Sequence, residues 1–323
     1  MMIEMTEEEY EISRFDSAVL LMPEHIRRAL RTLMREDRRR TEEIRLRRGR
    51  LPSVVIRGRE IAVGWAPVTG KDIDSLLETA TGASAYACAE SVKDGYITAK
   101  NGYRIGLCGS AVVKEGRVYS FHNISSAAVR VSKEIRGICL PILDKLLDKN
   151  GELYSTLIIS PPGNGKTTLL RDIVRILSDG GIDSVPGGFR VGLADERCEI
   201  ASSFQGKMQF DVGKKTDVID SCPKSEAVTM LLRAMNPQII AVDEITAAKD
   251  AEVIENAVGC GVKVLATAHA GCMEDLLKRG VYRKLIDGGA FEKAVVIKNG
   301  SEGRVYEVCT IEENSMKHLQ GEG

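Results

Sequence analysis

The sequence predicts an α/β protein whose second part is a mainly parallel, twisted sheet, preceded by a smaller α+β domain. After residue 150, short apolar runs alternate with helical patterns, which is typical of parallel strands joined by crossover helices. Before residue 137, β-branched runs alternate with Gly, Pro and Asn-Gly signals that favour antiparallel pairing. A length of 323 residues is enough for two domains. We therefore expect domains at 1–140 and 141–323.

Charge and composition exclude several classes of protein. The 45 Lys and Arg residues are balanced by 46 Asp and Glu, and a net charge of −1 argues against coating nucleic acid through the overall field. Hydrophobic residues make up 43% of the chain, which excludes wholesale disorder. Aromatic residues are only 5%, which disfavours base-stacking platforms. We expect a globular protein without a nucleic-acid partner.

The cysteines and the apolar runs bear on the compartment. Eight cysteines are scattered without a CxxC pair or zinc spacing, and we expect them mostly as small buried side chains in a reducing cytosol. The acidic start MMIEMTEEEYE does not resemble a signal peptide, and no apolar run reaches the ~18 residues that span a bilayer. These features predict a cytoplasmic protein, with any membrane contact peripheral.

The elements of the first domain follow from local patterns. The segments predicted are a helix at 22–33, short strands within 45–63, a helix at 72–81, a hairpin of 95–98 with 103–107, and a β element at 112–121. The hairpin turns at Asn101-Gly102, the dipeptide that type I′ turns favour, and Gly116 interrupts the last element.

The second domain alternates strands with helices. The strands predicted are 157–159, 191–194, 239–242 and 264–267, followed by a closing hairpin of 294–297 with 305–310. Asn299-Gly300 lies between the last two segments. Because parallel strands share one carboxyl edge, residues that follow each strand are expected to converge there.

The strongest motif lies between the first of these strands and an amphipathic helix. Residues 160–168 read SPPGNGKTT and match GxxxxGK[ST] except that Ser160 replaces the first Gly. The glycines let backbone N–H groups surround phosphate oxygens, Lys166 reaches the β- and γ-phosphates, and the Thr167 hydroxyl binds Mg²⁺. The predicted nucleotide-binding residues are Pro162, Gly163, Asn164, Gly165, Lys166, Thr167 and Thr168.

A second motif depends on the first. The apolar strand at 239–242 ends in Asp243 and Glu244, which places both acids at the carboxyl edge beside the phosphate-binding loop. There Asp243 is expected to hold Mg²⁺ and Glu244 to orient or deprotonate the attacking water. Without the loop, the same pattern would be an ordinary solvated strand end.

Two weaker signals end neighbouring strands. Residues 193–200 (LADERCEI) carry acids and an Arg after a strand, and the alternative is a charged loop. His269 ends the strand at 264–267, where a neutral imidazole can hydrogen-bond a γ-phosphate or a catalytic carboxylate. A histidine bonded within its own loop is equally compatible with the sequence.

Together these residues resemble the secretion ATPase superfamily, the ring motors of type II and type IV secretion and pilus systems. The resemblance places Glu196 in the acidic box, Arg233 as the helix Arg ahead of Walker B, and His269 in the histidine box. It implies a RecA-like core in which Glu244 activates water while His269 and Glu196 couple the γ-phosphate to domain motion. The acidic box here reads Asp-Glu-Arg, where the family usually has Glu-Asp-Pro or Glu-Asp-Thr.

A longer similarity covers most of residues 40–275. EEIRLRRGRLP, DGYITAKNGYRIGLCGSAV and NISSAAVRVSKEIRGIC, with GNGKTTLLRD and LADERCEIA, resemble the stage III sporulation protein AA family of endospore-forming bacteria. The resemblance implies an ATPase with ATP and Mg²⁺, a homo-oligomer in a hexameric ring, and membrane platform partners in a channel between mother cell and forespore. The alternatives are a non-hydrolysing, ATP-dependent assembly scaffold and a DNA-directed RecA-like motor.

Arginines outside the motifs form one dense stretch. Eleven of them lie between residues 27 and 50, without a single Lys. A solvated basic face, a contact with anionic lipid or an acidic partner, nucleic-acid binding, and an Arg supplied to a neighbouring subunit's nucleotide all remain open. Arg130 and Arg136, just ahead of the domain boundary, are further candidates with Arg233 for completing a nucleotide site.

Overall fold

The computed structural model describes residues 6–82, 95–300 and 303–311. Two compact units divide the chain: Met1–Glu134 with Ser202–Gln209, and Ile135–Ala201 with Phe210–Gly323. Residues 135–140 therefore cluster with the second unit and the short segment 202–209 with the first. The sequence analysis placed both in the other domain.

The first unit packs helices on a six-stranded antiparallel sheet. Its helices are α1 (Glu7–Val19), α2 (Glu24–Leu30), α3 (Arg35–Arg40) and α4 (Gly70–Thr81). Its strands are β1 (Thr41–Arg47), β2 (Ser53–Ile56), β3 (Arg59–Ala62), β4 (Tyr96–Ala99), β5 (Tyr103–Lys114) and β6 (Arg117–Arg130), in the order β3-β2-β1-β6-β5-β4. Buried Phe15, Ile44 and Tyr103 are among the largest side chains of its core.

Two hairpins of this unit turn where residues take positive φ. Lys100, Asn101 (φ 66°) and Gly102 (φ 72°) separate β4 from β5, and the two positive φ values confirm the predicted turn at Asn-Gly. Glu115 (φ 51°) and Gly116 (φ 75°) form a two-residue turn between β5 and β6. The single β element predicted at 112–121 is thus the tip of a hairpin whose strands have 12 and 14 residues.

The second unit holds a seven-stranded sheet. Its strands are β7 (Thr156–Ser160), β8 (Val191–Asp195), β9 (Thr216–Asp220), β10 (Ile239–Glu244), β11 (Lys263–His269), β12 (Lys293–Gly300) and β13 (Gly303–Thr310). The order is β13-β12-β7-β11-β10-β8-β9, and every neighbouring pair is parallel except β12 with β13. The predicted parallel strands and closing hairpin are confirmed, while β9 was not predicted.

Helices cover both faces of this sheet. They are α5 (Leu140–Leu143), α6 (Lys166–Asp179), α7 (Lys224–Ala234), α8 (Ala248–Gly259), α9 (Met273–Leu277) and α10 (Gly280–Asp287). Because side chains alternate along a strand, Ile158 joins the apolar layer under α6, whereas Leu157 and Ile159 join the layer on the other face. A sheet buried on both faces leaves its carboxyl edge as the place where polar side chains can meet.

The cysteines depart from the prediction. In the described residues Cys139 is buried, Cys198, Cys222 and Cys272 are half-buried, and Cys108, Cys260 and Cys309 are exposed. The expectation of mostly buried thiols is therefore wrong here, and Cys88 lies outside the described residues. None of the helices described is both long and apolar enough to cross a membrane.

Candidate functional site

The predicted phosphate-binding loop connects β7 to α6. β7 ends at Ser160, which is fully buried, and α6 begins at Lys166. Gly163 (φ 79°) and Gly165 (φ 88°) lie in the left-handed region that other residues rarely adopt. A Cβ built on Gly163 would meet no atom within 4 Å, so space is open above the loop. Such a loop before a helix N-terminus is suited to bind an anion.

The Lys166 ammonium is folded back into the loop and is fully hydrogen-bonded. Its Nζ donates to the carbonyl oxygens of Ser160 (2.8 Å) and Pro161 (3.1 Å) and lies 2.6 Å from Nδ1 of His269. The side chain is 6% exposed, and burial lowers the pKa of Lys166, an effect that the Glu244 and Asp243 charges oppose. Because these hydrogen-bond partners are neutral, they do not cancel the positive charge of the buried ammonium, and that charge favours binding of a phosphate anion nearby.

His269 connects the loop to the end of β10. In the parallel register His269 lies beside Ser160, and its Nε2 is 3.1 Å from a carboxylate oxygen of Glu244. The register of β10 shifts between Val242 and Glu244, because two residues there oppose a single residue of β11. Such an irregularity re-aims side chains at a strand end. The structure therefore brings together three predicted residues from three strands or helices that are distant in sequence.

Asp243 fits the role of a magnesium ligand. It is 8% exposed, and the Thr267 hydroxyl donates to its Oδ1 at 3.4 Å, a long hydrogen bond for a buried carboxylate. In the described residues no group of three or more His, Cys, Asp or Glu side chains could hold a metal ion. Mg²⁺ with a nucleotide ordinarily takes one or two protein ligands and the phosphates, which the Thr167 hydroxyl and Asp243 could supply. The loop, Lys166 and this carboxylate thus suit a magnesium nucleotide.

The two acids after β8 have different environments. Asp195 is fully buried and accepts hydrogen bonds from the backbone N–H groups of Glu199, Ile200 and Ala201. Burial raises the pKa of Asp195 to about 6, against the opposing effect of these N–H groups. Glu196, in contrast, has a side chain 39% exposed and pairs with Lys224 at 2.6 Å. Asp195 therefore stabilises the loop at 196–201 through its backbone, whereas Glu196 is the more accessible of the two acids.

A residue that contacts this loop from α6 escaped the sequence analysis. Arg171 on α6 is 8% exposed and donates to the carbonyl oxygens of Ile200 and Glu199, both at 2.6 Å. Its guanidinium lies 4.2 Å from the ring centroid of Phe210. Arg171 thus joins the phosphate-loop helix to the acidic loop. Its spacing from Lys166 suggested only an ordinary helical position.

The structure does not bring Arg233 to the phosphate loop of its own chain. The helix α7 begins at Lys224, which contacts Glu196 at the carboxyl edge of the sheet. A crossover helix runs back against its strands, and Arg190, just before β8, donates to the carbonyl oxygen of Asn236. Arg233, exposed in the last turn of α7, therefore lies towards the amino edge.

Much of the arginine-rich stretch is paired within the first unit. Carboxylates of α1 contact it: Glu8 with Arg35, Glu11 with Arg39 and Asp16 with Arg38. Further pairs are Arg28 with Glu24, Arg40 with Glu36, Arg45 with Glu43 and Arg47 with Glu60. These contacts favour the solvated, internally paired face among the four alternatives.

Arg130 and Arg136 also have acidic partners. Arg130 lies 3.7 Å from Glu43, and Arg136 lies 3.1 Å from Asp211. Both arginine side chains are at least 60% exposed, so each pair contributes at most about 1 kcal/mol to stability. Neither pair would strongly oppose a second role for its arginine.

Comparison with known sequences gives an extensive match to one family. A family model described as sporulation stage III, protein AA matches residues 13–316. The chain is 33% identical over 291 residues to the stage III sporulation protein AA of Bacillus subtilis, which spans 89% of this chain and 93% of that protein.

Comparison of structures identifies the fold. The ATPase DotB of Legionella pneumophila superposes with a TM-score of 0.56 at 16% identity, covering 86% of this chain and 79% of that one. The pilus retraction motor PilT, solved with bound ADP, gives 0.53 at 16% identity, with 86% and 81% covered. The predicted RecA-like core with an N-terminal domain, as in secretion ATPases, is confirmed at the level of the fold.

Proposed function

This chain belongs to the sporulation stage III, protein AA family, and we propose that it is an ATP-binding and ATP-hydrolysing motor. Its working form is a homo-oligomeric ring, hexameric by analogy with secretion motors. It acts in the mother-cell cytoplasm, peripherally at the membrane, on platform proteins of the channel between mother cell and forespore. The family and the name of the Bacillus subtilis relative support the sporulation role.

One observation carries the enzymatic part of the proposal. The phosphate-loop lysine, His269 and the strand-end acid Glu244 form a continuous series of polar contacts at the carboxyl edge of the sheet, with 2.6 Å from Lys166 Nζ to His269 Nδ1 and 3.1 Å from His269 Nε2 to Glu244. A site that only held nucleotide would need the loop and the lysine. The series adds a carboxylate suited to act as a general base, together with an imidazole that reaches both groups.

Each residue has a distinct task in this proposal. Lys166 leaves the carbonyl oxygens of Ser160 and Pro161 and donates to the β- and γ-phosphates. Glu244 accepts a proton from the attacking water, and His269 keeps that carboxylate oriented. Glu196, which can leave Lys224 because it is partly exposed, responds to the γ-phosphate from the neighbouring strand.

The metal would be held by few protein atoms. Mg²⁺, when bound, would neutralise negative charge on the β- and γ-phosphates, and the Thr167 hydroxyl and the Asp243 carboxylate are the groups to hold it. Asp243 is already positioned by the Thr267 hydroxyl, so its carboxylate needs little rearrangement.

Phosphate release and ADP binding, measured on the full chain with Mg²⁺, test the proposal. We expect saturable ADP binding and steady-state phosphate release from ATP. Binding without release, even after addition of the cytosolic part of a candidate membrane platform protein, would favour the non-hydrolysing scaffold. Stimulation by single-stranded DNA that disappears at high salt would favour the DNA-directed motor. Absence of nucleotide binding would contradict the proposal altogether.

A further inference from the structure

The closing hairpin extends beyond the sheet next to the phosphate loop. β12 pairs in parallel with β7 from Lys293 opposite Thr156 to Val296 opposite Ile159. β7 ends one residue later, at Ser160, whereas β12 continues to Gly300. The last residues of β12 and the first of β13 therefore lie alongside the loop at 161–165.

The antiparallel register places Arg304 opposite Asn299 in this extension. Side chains alternate along β13, and Tyr306 and Val308 pack against the apolar layer that includes Leu169 and Leu170 of α6. Arg304, Tyr306 and Val308 are alternate residues of β13, so their side chains lie on the same face of the sheet, the face covered by α6. Of the three, Arg304 lies nearest the start of that helix.

The guanidinium of Arg304 lies directly over the phosphate loop. A Cβ built on Gly165 would be only 2.8 Å from Cζ of Arg304, closer than real Cβ atoms approach other atoms. Nearby, Asn299 Nδ2 donates to Asn164 Oδ1 at 3.5 Å. Gly165 is favoured by its positive φ, and the absence of a Cβ leaves room for the guanidinium to lie against the loop.

The groups that converge here are hydrogen-bond donors. The backbone N–H groups of the loop and the guanidinium N–H groups cannot satisfy one another, since a guanidinium has no acceptor. An anion between them would accept from both, and Arg is the side chain best matched to phosphate oxygens. The loop N–H groups and the Arg304 guanidinium therefore each supply donors to the same space, as the two sides of a phosphate-binding site would.

We propose that Arg304 contacts the α- and β-phosphates of a bound nucleotide within its own subunit. The inference rests on the proposed function and adds a phosphate-contacting residue outside the recognised motifs. Loop amides such as that of Gly165 surround the α- and β-phosphates, whereas Lys166 reaches the β- and γ-phosphates. Arg304 accordingly stabilises bound ADP and bound ATP alike, unlike an arginine that senses the γ-phosphate.

The experiment is calorimetric titration with Mg-ADP and with a non-hydrolysable Mg-ATP analogue. Arg304→Ala should weaken the binding of both by about tenfold or more, since charge-assisted hydrogen bonds to phosphate are among the stronger ones. Arg304→Lys should fall between, because it keeps the charge but not the planar fork. Lys298→Ala is the matched control, since Lys298 pairs with Glu307 on the same hairpin and should bind as wild type.

Three results would overturn the inference: unchanged affinity of Arg304→Ala, tighter binding, or a loss confined to the ATP analogue. Failure of the wild-type chain to bind ADP would instead contradict the proposed function, so the two failures are distinguishable. Thermal unfolding without nucleotide checks the fold of each variant. Arg304→Gln, which keeps an amide donor on a shorter, uncharged side chain, provides a second variant and should also weaken the binding of both nucleotides.

Discussion

Nζ of Lys166 lies 2.6 Å from Nδ1 of His269, and this contact determines the tautomer of the imidazole. An ammonium has only hydrogens to donate, so Nδ1 must present its lone pair. The proton of the neutral ring is then on Nε2, which lies 3.1 Å from a carboxylate oxygen of Glu244. Binding of phosphate by Lys166 would release Nδ1, and the imidazole would then be free to reorient with the carboxylate.

Removing His269 should separate hydrolysis from binding. His269→Ala leaves the loop and Lys166 in place, so we expect ADP affinity within about threefold of wild type. Phosphate release should fall by on the order of 100-fold, the size typical of losing an acid–base partner. His269→Gln, whose amide nitrogen reaches the position of Nε2 and can donate to Glu244, is the control and should retain more activity. Equal losses of affinity and turnover would show that the imidazole mainly supports the loop.

Lys166→Ala should nearly abolish nucleotide binding. The ammonium is the group expected to contact the phosphates, and its removal also takes away one donor each from the carbonyl oxygens of Ser160 and Pro161. We expect ATP affinity at least about 100-fold weaker by equilibrium titration. Lys278→Ala, at an exposed lysine paired with Asp275, should bind normally. Equal affinity in wild type and Lys166→Ala would remove the basis for a phosphate loop.

Glu244→Gln should have the opposite effect. The amide keeps the size of the side chain and can accept from Nε2 of His269, but it cannot take a proton from water. Nucleotide affinity should therefore persist while phosphate release drops to background, and size-exclusion chromatography should find an ATP-bound oligomer that does not dissociate. Turnover near the wild-type rate would shift the search for the base to Glu196.

Local sequence patterns were sufficient to predict most strands of the second unit. The strands around the loop are continuous apolar runs, and each was located to within one or two residues of its bounds, because burial on both faces leaves such runs. β9 (Thr216–Asp220) was missed, since it is a half-buried edge strand with polar residues at both ends.

The helix α1 shows a different limit of prediction from local sequence. Thr6 and Glu9 form a capping box at the start of α1, a signal that was present in the acidic N-terminal stretch. Recognising it would have suggested where the carboxylates of Glu8 and Glu11 go. The pairing of these carboxylates with Arg35 and Arg39 could not be predicted from local sequence, because the partners are 27 and 28 positions apart and meet only in the folded chain. Arg304 was missed for the same reason, since no local motif surrounds it.

Asp195 makes stability depend on pH in a defined direction. Its folded pKa of about 6 exceeds the ordinary value of about 3.9, so the folded state binds the proton more tightly than the unfolded state. The contribution to the free energy of unfolding is therefore present below about pH 4 and is lost as pH rises towards 6. Two pKa units correspond to on the order of 2–3 kcal/mol.

Asp195→Asn removes this titration. The free energy of unfolding of wild type minus that of the variant, from urea unfolding, should therefore fall by on the order of 2 kcal/mol between pH 4 and pH 7. Taking the difference cancels the carboxylates that do not interact with Asp195; the Asp243 charge, which also raises the pKa of Asp195, is part of the measured effect. A difference that stayed constant across this range would mean that the backbone N–H groups of Glu199, Ile200 and Ala201 fully compensate the burial of the charge.

Arg233 provides the last prediction. It lies towards the edge of the sheet opposite the loop of its own chain, so it can complete a nucleotide site only in a neighbouring subunit. We expect Arg233→Ala to bind ADP normally and to release phosphate at least about tenfold more slowly. Lys145→Ala, at an exposed lysine elsewhere in the second unit, should match wild type.

Mixing two impaired variants tests the direction of this contact. In a ring assembled from Arg233→Ala and Lys166→Ala subunits, an intact phosphate loop of the first kind can adjoin an intact arginine of the second. Because such sites contain both groups, the mixture should release phosphate faster than either variant alone. Normal turnover by Arg233→Ala alone would show that the arginine is dispensable. A mixture of co-assembled variants no faster than either variant alone would show that Arg233 does not act across the subunit interface.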